Sequence, residues 1–93
     1  MRHVVIMRIP TGDGHEQTYT ENGLRDIAER YLSDHHITFH RNGVGLIVHM
    51  KPMDVDSHPI FATIVFSKGG QANHAVDIEP DGTAIRDYAI EPA

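Results

Sequence analysis

Histidine stands out in this sequence because its imidazole can bind metal ions and transfer protons near neutral pH. The 93 residues include eight histidines, as many as all lysines and arginines together. His36 and His49 would face each other on a hairpin that turns at Asn42-Gly43, with Cβ atoms about 5 Å apart. Two imidazoles could hold a transition metal there, but a tetrahedral site needs a third protein ligand. A polar outer sheet face is the simpler interpretation.

A second group of candidate metal ligands lies in the polar segment 54–58, which reads Asp-Val-Asp-Ser-His. Asp54, Asp56 and His58 occupy alternate positions, so an extended segment would direct all three side chains the same way. Carboxylate and imidazole groups suit a divalent cation. Solvated loops between strands commonly have such a composition, so the sequence predicts a loop here and no metal site.

The sequence gives little support for nucleophilic catalysis or for nucleotide binding. The chain has no cysteine, and no serine lies in a Gly-x-Ser-x-Gly motif. Gly12-Asp13-Gly14 lies between a predicted strand and a predicted helix, where a dinucleotide fingerprint would be found. Gln17 stands in place of the third glycine of that fingerprint. We therefore predict no catalytic residue and no cofactor, although an enzymatic role is left open.

The acidic residues indicate a partner of opposite charge. Thirteen Asp and Glu exceed eight Lys and Arg, for a net charge of −5, which argues against direct nucleic-acid binding. Asp77, Glu79 and Asp87 are expected on one face of the last predicted hairpin, where they could bind a protein partner with a basic surface. The alternative is a solvated face whose charge protects an edge strand from mispairing.

Length and composition indicate one α+β domain over residues 1–93. Hydrophobic residues make up 40% of the chain, and 17 Ile and Val against three Leu favour strands over helices. No apolar run approaches the ~20 residues of a membrane helix. The N-terminus lacks the features of a signal peptide, so the expected location is cytoplasmic, away from membranes.

The hydrophobic pattern predicts the element order β-α-β-β-β-β-β. The helix should begin after Thr18 or Thr20 and bury a single apolar stripe, formed by Leu24, Ile27, Ala28, Tyr31 and Leu32. Strands are predicted at 3–9, 36–41, 44–50, 59–66, 73–79 and 83–91, and loops at 11–18 and 51–58. A three-residue turn at Pro80-Asp81-Gly82 would group Val76 and Ile78 with Ala84, Tyr88 and Ile90.

One helix cannot cover both faces of such a sheet. The segments 3–9 and 59–66 are apolar on both faces, so either the sheet curves on itself or a second copy covers the bare face. The predicted fold is one mainly antiparallel, curved sheet of five to six strands packed on a single helix. Its core is expected to contain Val5, Met7, Leu24, Ile27, Tyr31, Phe39, Val48, Ile64, Phe66, Val76 and Ile78.

The predicted order is similar to that of cystatin-like domains, in which a curved antiparallel sheet wraps around one helix. None of the cystatin inhibitory motifs is present, so the resemblance implies topology alone. These observations favour a non-catalytic protein-binding module that forms a homodimer through its sheet surface. It would act as a small inhibitor or regulator of a basic nucleic-acid-handling protein, as phage anti-defence proteins do. The alternative is a metal-binding protein or enzyme using His36 with His49, or the 54–58 loop.

Overall fold

The computed structural model describes residues 6–11, 13–39, 43–68 and 71–90. Their elements are, in order, β1 (Ile6–Pro10), β2 (Glu16–Thr20), α1 (Glu21–Asp34), β3 (Gly43–Val55), β4 (His58–Lys68), β5 (Gln71–Ile78) and β6 (Ala84–Ala89). Strands β3, β4, β5 and β6 form a four-stranded sheet in that order, and β1 pairs with β2. Every pairing is antiparallel, which confirms the predicted α+β class. In these ranges no helix has the length and apolar character to cross a membrane.

Strand β2 begins at Glu16, inside the segment 11–18 that the sequence predicts as a loop. The Thr11 N–H donates to the His15 carbonyl at 3.0 Å and closes a tight turn, in which Gly14 has a φ of 86°. The chain then runs back along β1, so that Met7 lies opposite Tyr19. The β-branched and aromatic run at 18–20 explains why this segment is extended. Gly14 thus lies in a hairpin turn and not at a helix N-terminus.

Helix α1 begins at the second of the two predicted caps. Thr20 has an extended backbone, and its Oγ1 accepts the Gly23 N–H at 3.0 Å. The predicted apolar stripe is confirmed: Leu24, Ala28 and Leu32 are fully buried, and the other two members pack against the core with part of their surface exposed. The helix therefore covers only one face of the sheet.

His36 ends the helix and does not start a strand. The N–H groups of His36 and Ile37 donate to the carbonyls of Ser33 and Leu32 at 3.1 and 2.9 Å. His36 has a φ of 58°, so it takes the left-handed position that glycine usually holds in this Schellman motif. The predicted strand at 36–41 is therefore wrong over residues 36–39. Residues 40–42, which include Asn42 of the predicted hairpin turn, lie outside the described part of the chain.

The longest hairpin turns at Asp56-Ser57, within the predicted loop 51–58. Both turn residues have positive φ, 50° and 68°, and Val55 lies opposite His58. This combination is a type I′ turn, whose twist matches that of the flanking strands. The pairing of β3 with β4 is irregular between Val48 and Met53. Pro52 lies in this irregular stretch, as expected for a residue without an N–H group.

The turn between β5 and β6 has the predicted three-residue form. Gly82 has a φ of 89°, and its N–H donates to the Glu79 carbonyl at 2.9 Å. The Glu79 N–H in turn donates to the Thr83 carbonyl at 2.9 Å, which closes the loop over residues 80–82. A left-handed glycine after a tight turn is the usual form of this connection.

An extra residue in β6 then changes the register that the turn alone would give. Ile78 lies opposite Ala84, whereas Asp77 lies opposite Arg86, so Ile85 has no partner on β5. Cross-strand partners point to the same face of a sheet. The predicted grouping of Tyr88 and Ile90 with the apolar face is therefore not formed, because Tyr88 lies on the face of Asp77.

The core is formed by α1, the covered face of the four-stranded sheet and the β1–β2 hairpin. Five predicted core residues are fully buried, namely Leu24, Ile64, Phe66, Val76 and Ile78. Four more pack against this core with part of their surface exposed, namely Met7, Ile27, Tyr31 and Phe39. Val48 is 44% exposed, so its assignment to the core is wrong, and Val5 lies outside the described residues.

Replacing His36 with glycine should stabilise the protein. A Cβ atom in the left-handed conformation costs about 1–2 kcal/mol, and the greater flexibility of glycine in the unfolded chain offsets part of the gain. We expect His36→Gly to raise the free energy of unfolding by about 0.5–1 kcal/mol in urea titrations. His36→Ala keeps the Cβ atom and should give no such gain. A loss of stability in His36→Gly would contradict the observed helix ending.

Candidate functional site

A polar cluster fills the middle of the sheet face that α1 leaves uncovered. Thr63 lies opposite Asp77 on β4 and β5, and Asp77 lies opposite Arg86 on β6. Thr63 and Asp77 alternate along their strands with buried apolar residues, so they point away from the helix. Arg86 lies on the same face because it is the cross-strand partner of Asp77. We call His49, Thr63, Asp77, Arg86 and Tyr88 the Asp77 network.

The Asp77 carboxylate has no solvent-exposed surface and accepts bonds from three side chains. Arg86 Nε donates to Oδ2 at 2.6 Å, while Thr63 Oγ1 and the Tyr88 hydroxyl donate to Oδ1 at 2.8 and 3.4 Å. His49 Nε2 lies 3.1 Å from Thr63 Oγ1. Since the threonine proton goes to Asp77, His49 must donate its Nε2 proton to Thr63.

The electrostatics of the network fit a stable ion pair. The hydrogen bond to Asp77 raises the pKa of Arg86, while burial raises the pKa of Tyr88. The Arg86 guanidinium also lies over the Tyr88 ring, 4.8 Å from its centre. The carboxylate is enclosed and has charged and neutral donors, so it is not available to a partner surface. This arrangement closes the bare face of the sheet with polar side chains.

Asp87 lies on the other face of the sheet, toward the helix. It is opposite Val76, and its Oδ2 accepts the Nε2 proton of His74 at 2.9 Å. Burial raises the pKa of Tyr31 on α1, and the neighbouring Asp87 carboxylate raises it further. The side chains of His74 and Asp87 are only 15% and 20% exposed. The predicted acidic face of Asp77, Glu79 and Asp87 is therefore not formed.

Glu79 instead belongs to a group of carboxylates at one end of the sheet. The start of β4 and the end of β5 lie at this end, where His58 Nδ1 donates a short hydrogen bond to Glu79 Oε1. The β3–β4 turn brings Asp54 and Asp56 here, and the β5–β6 turn brings Asp81. We call Asp54, Asp56, Glu79 and Asp81 the acidic end.

Three members of the acidic end are accessible to a partner. Asp54, Asp56 and Asp81 are exposed, whereas the Glu79 side chain is 17% exposed and is bonded to His58. Asp81 Oδ1 accepts the Thr83 N–H at 2.9 Å, and this bond fixes its side chain against the turn. All of these residues except Asp81 were candidate site residues in the sequence. Asp81 was predicted only as part of the turn Pro80-Asp81-Gly82.

The candidate metal ligands are not assembled into a site. His36 lies at the end of α1 and His49 on β3, so they do not form the predicted cross-strand pair. Asp54 and His58 flank a tight turn, and His58 is bonded to Glu79. Across the described ranges, no three His, Asp or Glu residues are grouped so that they could hold a metal ion. Metal binding by these residues was only the alternative interpretation of the sequence, and it stays untested.

Thr63 and Arg86 were not predicted as functional residues, and Tyr88 was predicted on the apolar face. Thr63 is a polar residue inside the apolar run 59–66, and Asp77 interrupts the apolar run of the next strand. A polar residue at a buried strand position requires a hydrogen-bond partner, so this pattern was a signal of pairing between the two strands.

Removing Arg86 should destabilise the protein strongly at neutral pH. Arg86→Met leaves the buried Asp77 carboxylate without its counter-charge, a change that typically costs about 3–5 kcal/mol. Urea titrations at neutral pH measure this loss.

The double variant Asp77→Asn/Arg86→Met serves as the control for this experiment. It removes both charges, so it should be more stable at neutral pH than Arg86→Met. A loss below about 0.5 kcal/mol in Arg86→Met, as at an ordinary surface site, would show that the ion pair is unimportant.

The side chains of all three tyrosines should have pKa values above the usual one in the folded protein. Burial is the main cause that raises the pKa values of Tyr19, Tyr31 and Tyr88 above 10.0. Their contribution to stability is fully present below pH 10 and is lost as the pH rises through the folded values. Ultraviolet absorbance of the phenolate measures this titration, and the same titration in denaturant should return to about 10. A tyrosine that titrates at its usual pKa before unfolding would contradict the described burial.

The Asp77 network and the acidic end thus differ in their chemistry. The Asp77 network is internally satisfied and stabilises the sheet, whereas the acidic end presents carboxylates to solvent. Comparisons of the chain with protein-family models, with curated proteins and with solved structures each found no match.

Proposed function

We propose that this chain is a non-catalytic protein-binding module that contacts a basic protein surface through its acidic end. The observation that carries the proposal is the gathering of the accessible carboxylates of Asp54, Asp56 and Asp81 at two adjacent turns. Turns fixed by backbone hydrogen bonds hold these charges in place, so little side-chain and loop freedom is lost on binding.

Charge supports a basic partner. The chain has a net charge of −5. Among the described residues, His58 is the only basic side chain that is hydrogen-bonded to a member of the acidic end, and its partner is Glu79. Complementary charge speeds the encounter of two proteins and fixes their orientation. A lysine- or arginine-rich surface is therefore the chemistry that this end would recognise.

Met53 supplies an apolar contact beside these charges. It is 39% exposed and directly precedes Asp54 on β3. Methionine adapts its shape to irregular partner surfaces and is enriched in interfaces. An accessible methionine on the strand that leads into the acidic end would add an apolar contact to such an interface.

The partner class that best fits is a nucleic-acid-handling protein. Such proteins carry basic surfaces that neutralise phosphates, and an acidic module bound there would compete with the nucleic acid. The module would then act as an inhibitor or regulator, in the manner of phage anti-defence proteins. We propose the cytoplasm as its location, since a chain without cysteine gains no disulfides from an oxidising compartment.

The test uses a lysine- and arginine-rich peptide as the probe and measures affinity by calorimetry at physiological salt. The triple variant Asp54→Asn/Asp56→Asn/Asp81→Asn should weaken binding by about tenfold or more, because it removes the accessible charges of the acidic end. Circular dichroism confirms that the variant is folded.

A charge-matched control separates the site from net charge. Glu16→Gln/Asp26→Asn/Asp34→Asn also removes three exposed carboxylates, but from β2 and α1. This control should bind the peptide nearly as well as the native protein. Equal weakening by both variants, or no binding by the native protein, would overturn the proposal.

A further inference from the structure

Strand β3 is an edge of the four-stranded sheet. Within the described residues its only neighbour is β4, with which it pairs regularly from Gly43 to Val48. The N–H and C=O groups on its other side point away from the sheet. Such a row of backbone groups can pair with one further strand, and natural sheets normally protect it with charge, proline or a bulge.

The first half of β3 has none of these protective features. Residues 43–48 read Gly-Val-Gly-Leu-Ile-Val, without charge or proline. The register irregularity and Pro52 come only after Val48. A strand of six uncharged residues at a sheet edge is a template for pairing.

The exposed apolar side chains point to the same strand. In the described part of the chain, the large apolar residues with the most exposed surface are Ile47 at 50%, Val48 at 44% and Met53 at 39%, all on β3. Ile47 lies opposite Thr63 and Val48 opposite Ala62, so they project from opposite faces of the sheet. A partner resting on one face would cover only one of them. A strand added beside β3 would cover both.

The required partner is an uncharged extended segment that is apolar on both faces. The first half of β3 itself has this composition, so a second copy matches it. Two chains of net charge −5 repel each other in general, but two copies of residues 43–48 bring no charge together. A twofold axis perpendicular to the sheet near Leu46 would place Leu46 next to its own copy and Val44 next to Val48 of the other chain.

We propose that two copies of this chain pair antiparallel through residues 43–48 of β3 and form a continuous eight-stranded sheet. The axis leaves both helices on the same face of that sheet. Pairing through β3 closes the assembly at two copies, since a twofold contact uses the same edge of both chains. This inference does not depend on the acidic end.

Sedimentation at micromolar concentration tests the proposal on the full chain. The native protein should sediment at about twice the monomer mass of 10.4 kDa. Ile47→Lys places a charge next to the twofold axis and should give the monomer mass, because two copies would bring like charges close together. Val48→Lys should act in the same way from the other face. Circular dichroism verifies that each variant is folded.

The control variant is Ala89→Lys, which places the same charge at an exposed position on β6, the other edge of the sheet. It should remain at twice the monomer mass. A native protein that sediments at the monomer mass or forms larger species would overturn the proposal. Loss of the dimer in Ala89→Lys but not in the β3 variants would assign the contact to β6 and would also overturn it.

Discussion

The structure depends on how one helix and a four-stranded sheet can enclose their apolar surface. Helix α1 covers a single face, so the opposite face must be closed by the side chains of the sheet itself. The Asp77 network does this with polar groups. Burying a carboxylate costs several kcal/mol unless counter-charge and hydrogen bonds offset that cost. Arg86, Thr63 and Tyr88 provide these partners, so the central strands can be buried on both sides without a second layer.

The register of β6 therefore determines which of its polar side chains share a face with Asp77. Ile85 is the extra residue that places Arg86 opposite Asp77 and turns Asp87 toward His74. Without this bulge Asp87 would lie on the same face as Asp77, and Asp77 would lose its guanidinium partner. The bulge thus converts a hairpin with a predicted acidic face into one with two satisfied polar clusters. The accessible carboxylates of the four-stranded sheet then belong to the acidic end, at the β3–β4 and β5–β6 turns.

Local signals in the sequence were sufficient for some elements and not for others. The stripe of α1, the cap at Thr20 and the glycine turn at Gly82 depend on neighbouring residues, and each was predictable. The bulge at Ile85 depends on pairing across strands, which periodicity does not reveal. The helix ending at His36 required a non-glycine residue to adopt a left-handed conformation, so no composition rule indicated it. The turn at Asp56-Ser57 likewise places two non-glycine residues in the left-handed conformation, so its composition did not indicate it either.

Strand β3 joins the two proposed surfaces and also keeps them apart. In an antiparallel pair centred near Leu46, the two strands run in opposite directions from the axis. Each acidic end begins about eight residues from that axis, or roughly 25 Å along the strand. The two acidic ends would therefore lie roughly 50 Å apart, far beyond the screening length of about 8 Å at physiological salt. Their charges would not oppose pairing, and the assembly would present two equivalent acidic surfaces in opposite directions. Two linked sites bind a repeating or dimeric basic partner more tightly than one, which gives self-association a functional consequence.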